Sequence, residues 1–154
     1  MSKKYWLMKS EPDEFSIDDL KRKQTELWTG VRNYQARNFM TQEMSMGDEV
    51  LFYHSNAEPP GIAGLATVSS TAQVDPTQFD KKSDYYDPKS KKEKPTWECV
   101  EVKFKKKFPK LLSLEEIKKD KALSKMLVIK KGMRLSIQPV DKKDFDHILE
   151  LLKG

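Results

Sequence analysis

A single cysteine, Cys99, stands among 154 residues, which excludes an intramolecular disulfide and a cysteine-built zinc site. There are two histidines, His54 and His147, and no His/Cys cluster, so a transition-metal centre has no ligand set. Asp84, Asp87 and the Asp18-Asp19 pair lack the spacing of a calcium loop. Gly61-Ile62-Ala63-Gly64 is not followed by Lys-Ser/Thr and does not open a helix, which excludes a phosphate-binding loop. No metal and no cofactor is expected. No apolar run approaches the ~20 residues that span a bilayer, and MSKKYWLMKSEPDEF has no apolar stretch of signal-peptide length. The lone cysteine favours a reducing compartment. Together these lead to the expectation of a soluble protein, cytoplasmic or, in a eukaryote, nuclear, with no membrane partner. No internal repeat or Pro/Gly/Ser linker divides the chain, so one domain over residues 1–154 is expected, as a monomer.

Aromatic residues and charge are plentiful. Seven Phe, five Tyr and three Trp are enough to build a core in a chain of this length. The net charge of +5 is uneven: residues 1–80 carry 8 basic and 12 acidic side chains, and residues 81–154 carry 21 and 12. A basic half of this kind faces a polyanion or simply solvates a surface.

Pattern and turn signals give an order of elements. Tyr5 to Met8 reads as a buried strand ending at Ser10-Glu11-Pro12. Ser16 caps a helix with Asp18 and Asp19 in its first turn, and Trp28-Thr29-Gly30 breaks it. Asn33 to Met44 reads as a second short helix. Glu49 to His54 and Ile62 to Val68 form a hairpin, whose Ala63, Gly64 and Ala66 point to close backbone packing. The stretch from Asp75 to Pro95 is irregular and long enough to be functional or mobile. Trp97 to Phe104 alternates as a strand. Ser113-Leu114-Glu115-Glu116 has capping-box spacing, Leu123 to Ile129 reads as helical, Leu135 to Val140 as a strand, and Asp141 caps an amphipathic helix over Lys142 to Leu152. The class is mixed α+β, a small, partly open barrel of mostly antiparallel strands flanked by short helices.

Nucleophilic chemistry has one candidate, Cys99 with His54 or His147 as base. Cys99 alternates with apolar neighbours in a strand, where a buried inert thiol is the commoner outcome. The aromatic groups are more informative. Trp28 stands beside Thr29-Gly30, with Arg32, Asn33 and Tyr34 close behind. Tyr53-His54-Ser55 ends a strand in polar groups, and Tyr85-Tyr86-Asp87 lies in the long loop. A flat aromatic face next to amides and hydroxyls suits a nucleobase, which stacks on its face and hydrogen-bonds on its edge. A base must leave its stack to be enclosed this way. Trp28 and Tyr53 read equally as core residues.

These residues carry a resemblance. Tyr5-Trp6-Leu7-Met8-Lys9-Ser10-Glu11-Pro12, Trp28-Thr29-Gly30-Val31-Arg32-Asn33-Tyr34-Gln35-Ala36-Arg37-Asn38, Gly47-Asp48 with Phe52-Tyr53-His54-Ser55, Pro60-Gly61-Ile62-Ala63-Gly64, Tyr85-Tyr86-Asp87 and Arg134-Leu135-Ser136-Ile137-Gln138-Pro139-Val140 resemble the EVE domain, in the right order and over about residues 3 to 150. The chain is similar to the thymocyte nuclear protein family and its bacterial counterparts. The resemblance implies a PUA-like pseudobarrel, related to YTH domains, and a non-enzymatic module that recognises a modified base, modified cytosine in DNA first. It implies a site in which Lys9 and Ser10 lie at one strand end, Trp28 stacks on the base, Arg32 and Asn33 follow, Tyr53, His54 and Ser55 occupy a second strand end, and Tyr85, Tyr86 and Asp87 close the pocket from the loop. Lys89 to Lys94 would contact phosphates or be solvated. Two other readings stay open: an RNA binder, because sequence does not show which residue reads a 2′-hydroxyl, and an enzyme acting on a small nucleotide-like ligand with His54 as acid or base.

Overall fold

The structure is a computed structural model and describes residues 3–153. Eight strands and four short helices are present among them: β1 (Tyr5–Ser10), α1 (Ile17–Lys23), β2 (Thr25–Leu27), α2 (Tyr34–Asn38), β3 (Glu49–His54), β4 (Gly61–Val68), β5 (Gln73–Val74), β6 (Glu98–Cys99), β7 (Glu101–Ser113), α3 (Leu114–Lys119), β8 (Ile137–Val140) and α4 (Lys142–Leu151). Six strands form one curled sheet in the order β2-β7-β4-β3-β1-β8, and β5 pairs with β6 in a small ribbon. Every pairing is antiparallel except β1 with β3, which run side by side in the same direction. The crossover between them carries α1, β2 and α2, because a parallel pair cannot be closed by a tight turn.

Alternation along the strands divides the core into two layers. Trp6, Met8, Val50, Phe52 and Val102 face one cluster with Ile17 and Leu20 of α1. Leu7, Leu51, Tyr53 and Phe108 face the other with Ile117 of α3 and with Phe145 and Ile148 of α4. The sheet curls where its registers slip, between Ile62 and Gly64 and between Leu65 and Ala66. At Gly64 an added Cβ would lie 2.5 Å from the Lys106 carbonyl oxygen and 2.7 Å from Ile17, so the close packing expected of the small residues is met there by glycine.

The sequence reading departs from the structure in four places. The first helix ends at Lys23, where Gln24 takes φ 72°, well before Trp28; β2 intervenes, a three-residue strand too short to show a period and formed by pairing with β7. β7 runs on past Phe104 to Ser113; its lysines face solvent and Pro109 falls in the slipped register, the place a strand tolerates proline. Leu123 to Ile129 makes two single 3₁₀ turns rather than one helix. Asn33 opens a helix of five residues that widens into a π-turn over Phe39–Glu43. The capping box expected at Ser113 forms with Glu116, and the Ser16 cap turns out to be a second box, with Asp19. Asp141 precedes α4 but its side chain makes no cap bond. No helix among the described residues is long and apolar enough to cross a membrane.

Candidate functional site

The parallel strands β1 and β3 end together, with the Ser55 N–H donating to the Ser10 carbonyl (3.0 Å). Parallel pairs place their carboxyl ends at a common edge, where side chains of several segments converge. Here that edge opens into a cleft of about 580 Å³, lined by the end of β1 and its turn (Lys9 to Glu11, Glu14, Phe15), the β2 exit (Glu26 to Arg32), Ser55 and Asn56, Tyr85, and the segment before β8 (Met133, Arg134, Ser136). The volume suits a nucleoside-sized ligand.

Trp28 forms part of the wall and of the core at once. It is 7% exposed, its ring packs edge-on to Phe52 at 5.6 Å, and its N–H donates to the Val100 carbonyl (2.9 Å). Trp28 is therefore a core residue that also borders the cleft. Opposite, Tyr85 lies against the backbone of Gly30: a Cβ at Gly30 would come within 2.7 Å of the Tyr85 ring, and Gly30 has φ +84°. Only glycine satisfies both the turn and the approach. The Tyr85 hydroxyl reaches Glu14 at 3.4 Å, and burial, followed by the Glu14 charge, pushes its pKa up.

Behind the rim lies an anchor that the sequence reading missed. Asp75 is 1% exposed. One of its carboxylate oxygens accepts from Gly30 N–H (2.8 Å) and Arg32 Nη1 (3.1 Å); the other accepts from Thr77 N–H (2.8 Å) and Thr77 Oγ1 (2.5 Å). The long loop is thereby pinned to the cleft. The signal was there in Asp75-Pro76-Thr77, an N-cap aspartate before a helix-starting proline. Gln78, fully buried, completes the anchor by donating to the Asp75 and Trp97 carbonyls (both 2.7 Å).

Six of the expected residues, Lys9, Ser10, Trp28, Arg32, Ser55 and Tyr85, line the cleft; Asn33, Tyr53, His54, Tyr86 and Asp87 do not. Asn33 is the cap of α2, its side chain accepting from Ala36 N–H (2.9 Å). Tyr53 points to the opposite layer, 3% exposed, since strand alternation turns it away from the side of Phe52. His54 lies edge-on to Phe52, and its Nε2 accepts from Ile17 N–H (3.1 Å), which leaves that nitrogen no proton to exchange with a ligand. Asp87 accepts from Trp97 Nε1 (2.8 Å), and Tyr86 follows the loop outside the wall. Arg32 lines the cleft with its donors already used: besides Asp75 it donates to the Tyr85 carbonyl (2.6 and 3.0 Å), the Val31 carbonyl (2.9 Å) and Thr77 Oγ1 (3.0 Å). It holds the loop rather than a phosphate. Cys99 is buried, and burial pushes its thiol up to about 12, which removes the thiolate that nucleophilic catalysis needs. His147 binds Asp120 across 2.7 Å, and neither lines the cleft.

The remaining cleft groups are of mixed sign. Lys9 is half-buried, and desolvation lowers its pKa; Arg134 is exposed. Ser10 Oγ donates to the Phe15 carbonyl (2.6 Å) and keeps its acceptor capacity. Glu11, Glu14 and Glu26 add carboxylates, tied to Asn56, Tyr85 and Lys23. An aromatic wall flanked by ammonium, guanidinium, hydroxyl and carboxylate groups offers a planar heterocycle a stacking face together with donors and acceptors for its edge.

Comparison with known proteins agrees with the fold. Thymocyte nuclear protein 1 of Homo sapiens is 45% identical over 165 aligned positions, covering 96% of this chain and 73% of the human protein. A structure of a hypothetical protein from Leishmania major superposes with a TM-score of 0.94 at 49% identity, covering 99% of this chain and 96% of that one. The human THYN1 protein, whose crystal structure holds DNA containing 5-methylcytosine, superposes with a TM-score of 0.89 at 43% identity, covering 98% of each chain. The EVE domain model matches residues 4–151. The curled half-barrel is therefore a family fold, and the chain belongs to the EVE domain family.

Proposed function

We propose that this chain is a binding module that takes a modified base, 5-methylcytosine in DNA foremost, into the cleft beside Trp28. The observation that carries the reading is the placement of Trp28: a tryptophan fixed by the core yet lining an open cleft whose rim supplies Lys9, Ser10, Ser55 and Arg134. The human relative held with 5-methylcytosine DNA supports this choice of ligand. A base in this position stacks on the indole, and its exocyclic amino group and carbonyl meet carboxylate or hydroxyl acceptors and the Lys9 ammonium. Extrusion of the base from a duplex costs a few kcal/mol, offset by stacking and by phosphate contacts.

The test is binding to matched oligonucleotides at one stated salt concentration, carrying plain, methylated or hydroxymethylated cytosine, in DNA and in RNA. A preference for one modified DNA base, reduced in Trp28→Phe by loss of stacking area and in Lys9→Met by loss of an edge donor, is the expected result. Stacking is worth about 1–3 kcal/mol per base, so Trp28→Ala should lose most of the preference; thermal melting of the same variant separates that loss from core damage. Equal, salt-sensitive binding of every oligonucleotide overturns the reading, and a preference confined to RNA replaces it with the RNA-binding one.

A further inference from the structure

Beside the cleft, and outside it, an aromatic stack faces solvent. Tyr34 is 61% exposed, yet its ring is not loose: it lies parallel to Trp97 at 5.0 Å with 21° between planes. The Arg37 guanidinium sits 4.9 Å from the Tyr34 ring and 5.7 Å from Trp97. Trp97 itself is buried and held, its N–H donating to Gln78 Oε1 (3.0 Å) and its Nε1–H to Asp87 (2.8 Å). A large apolar face kept rigid at the surface costs little entropy on binding, the property that makes aromatic anchors effective.

The same anchor presents charge. Ser90 Oγ donates to Gln78 Oε1 (2.5 Å) and accepts from Thr96 N–H (3.0 Å), and the Thr96 carbonyl accepts from Arg37 Nη1 (2.8 Å). Between them the chain makes a tight turn, closed by Lys94 N–H to the Lys91 carbonyl (3.0 Å). Lys89, Lys91, Lys92 and Lys94 are all exposed, and among the described residues none of them forms an ion pair, whereas Lys105, Lys107 and Lys110 of β7 are each paired with a carboxylate. The only acid within the turn is Glu93. A group of unpaired cations is thus tied through Ser90 and Thr96 to the two segments that carry Tyr34 and Trp97.

Arg32 joins this patch to the cleft. Its guanidinium carbon lies 5.1 Å from the Trp97 ring on one side and 5.7 Å from the Tyr85 ring on the other, and Tyr85 is a cleft wall. The patch and the cleft wall thus share one guanidinium, which places the patch on a path that a strand with a base in the cleft could follow.

We infer that the Tyr34–Trp97 stack and the lysine turn over residues 89–94 form a second nucleic-acid contact, which seats the nucleotide flanking the enclosed base: its base against Tyr34, its phosphates on Lys91, Lys92, Lys94 and Arg37. The occupant is a polyanion carrying planar rings, because exposed aromatic surface and unpaired lysines are juxtaposed, and the contact is sequence-tolerant, since every base has a π-face and every nucleotide a phosphate. The inference rests on the cleft taking a base from DNA.

The experiment measures the affinity of the full chain for two duplexes of one sequence, with and without a single 5-methylcytosine, over a series of salt concentrations. Its variants are Tyr34→Ala and the triple Lys91→Gln, Lys92→Gln, Lys94→Gln, all at exposed positions. Tyr34→Ala should weaken both duplexes equally, by about fivefold or more. The triple variant should flatten the dependence of log affinity on log salt by about 0.9 for each phosphate that is no longer neutralised. Neither should change the ratio between the two duplexes. Unchanged affinity and unchanged salt slope in both variants overturn the second surface, even where the methylated duplex is preferred. Equal weakening of both duplexes by each variant, in a protein that shows no preference for the methylated one, upholds Tyr34 and the lysine turn as a nucleic-acid contact and overturns both the base-reading cleft and the seating of a flanking nucleotide beside it.

Discussion

Asp48 is a buried carboxylate that acts entirely as an acceptor. It is 2% exposed and receives hydrogen bonds from Trp6 Nε1 (3.0 Å), Lys4 N–H (3.1 Å) and Ser45 N–H (3.0 Å). Truncation leaves buried donors without partners, so Asp48→Ala should cost about 3 kcal/mol, read as a lower urea midpoint at unchanged slope. At the cleft, Gly30→Ala should strain a positive-φ turn by about 1–3 kcal/mol and push the Tyr85 ring away. A variant that still melts cooperatively but has altered base binding would show that Tyr85 bounds the ligand. Cys99 should resist alkylation in the native protein at pH 8, because its thiol ionises only near pH 12, and should react at once in denaturant. Rapid labelling of the folded chain would contradict its burial.

At the scale of the element, α1 shows how three groups share one helix start. Ser16 Oγ accepts from Asp19 N–H (3.1 Å), an Asp19 oxygen accepts from Ser16 N–H (2.8 Å), and His54 Nε2 takes Ile17 N–H from another strand. Ser16→Ala should cost about 1 kcal/mol. The His54 bond requires a neutral ring with its proton on Nδ1, and burial, the largest influence, lowers its pKa below 6.5. The unfolded chain then binds a proton on this ring at a higher pH than the native protein does. The stability that His54 contributes is complete above pH 6.5 and is lost as pH falls through the lowered native value. His54→Gln, which keeps an acceptor but cannot titrate, should remove that component from the pH dependence of the melting temperature; an unchanged acid limb would sink the assignment. Gln24 ends the same helix at φ 72°, so Gln24→Gly should be neutral or stabilising by up to about 1 kcal/mol.

For the molecule as a whole, the two core layers separate stability from recognition. Phe145 on α4 is 3% exposed and packs on Tyr5 at 4.6 Å in the layer away from the cleft. Phe145→Ala should lower stability by about 3–5 kcal/mol and leave the discrimination between bases intact while the fold persists, a result that denaturant titration and oligonucleotide binding check together. Much of this architecture was legible in the residues. Ser16 and Ser113 marked two helix starts, a short apolar run located β1, turn signals the β3–β4 hairpin and alternation β8, and the order of motifs pointed to the family, because these signals act over a few residues. Tertiary structure decided the rest. β2 and the far half of β7 are strands only through their partners. The irregular loop is pinned by Asp75 and Gln78: the Asp75-Pro76-Thr77 spacing signals a local cap, but only the tertiary fold brings the Asp75 carboxylate to Gly30 and Arg32 and Gln78 to Trp97. Tyr53 and His54 stand beside Ser55 in the sequence, yet strand alternation and a helix start remove both from the cleft. Trp28, Lys9, Ser55, Tyr85 and Arg134 meet only because β1 and β3 end at one edge. Local chemistry sets caps and periods; which side chains share a cavity depends on register and crossover, and those are fixed by burial of the whole sheet.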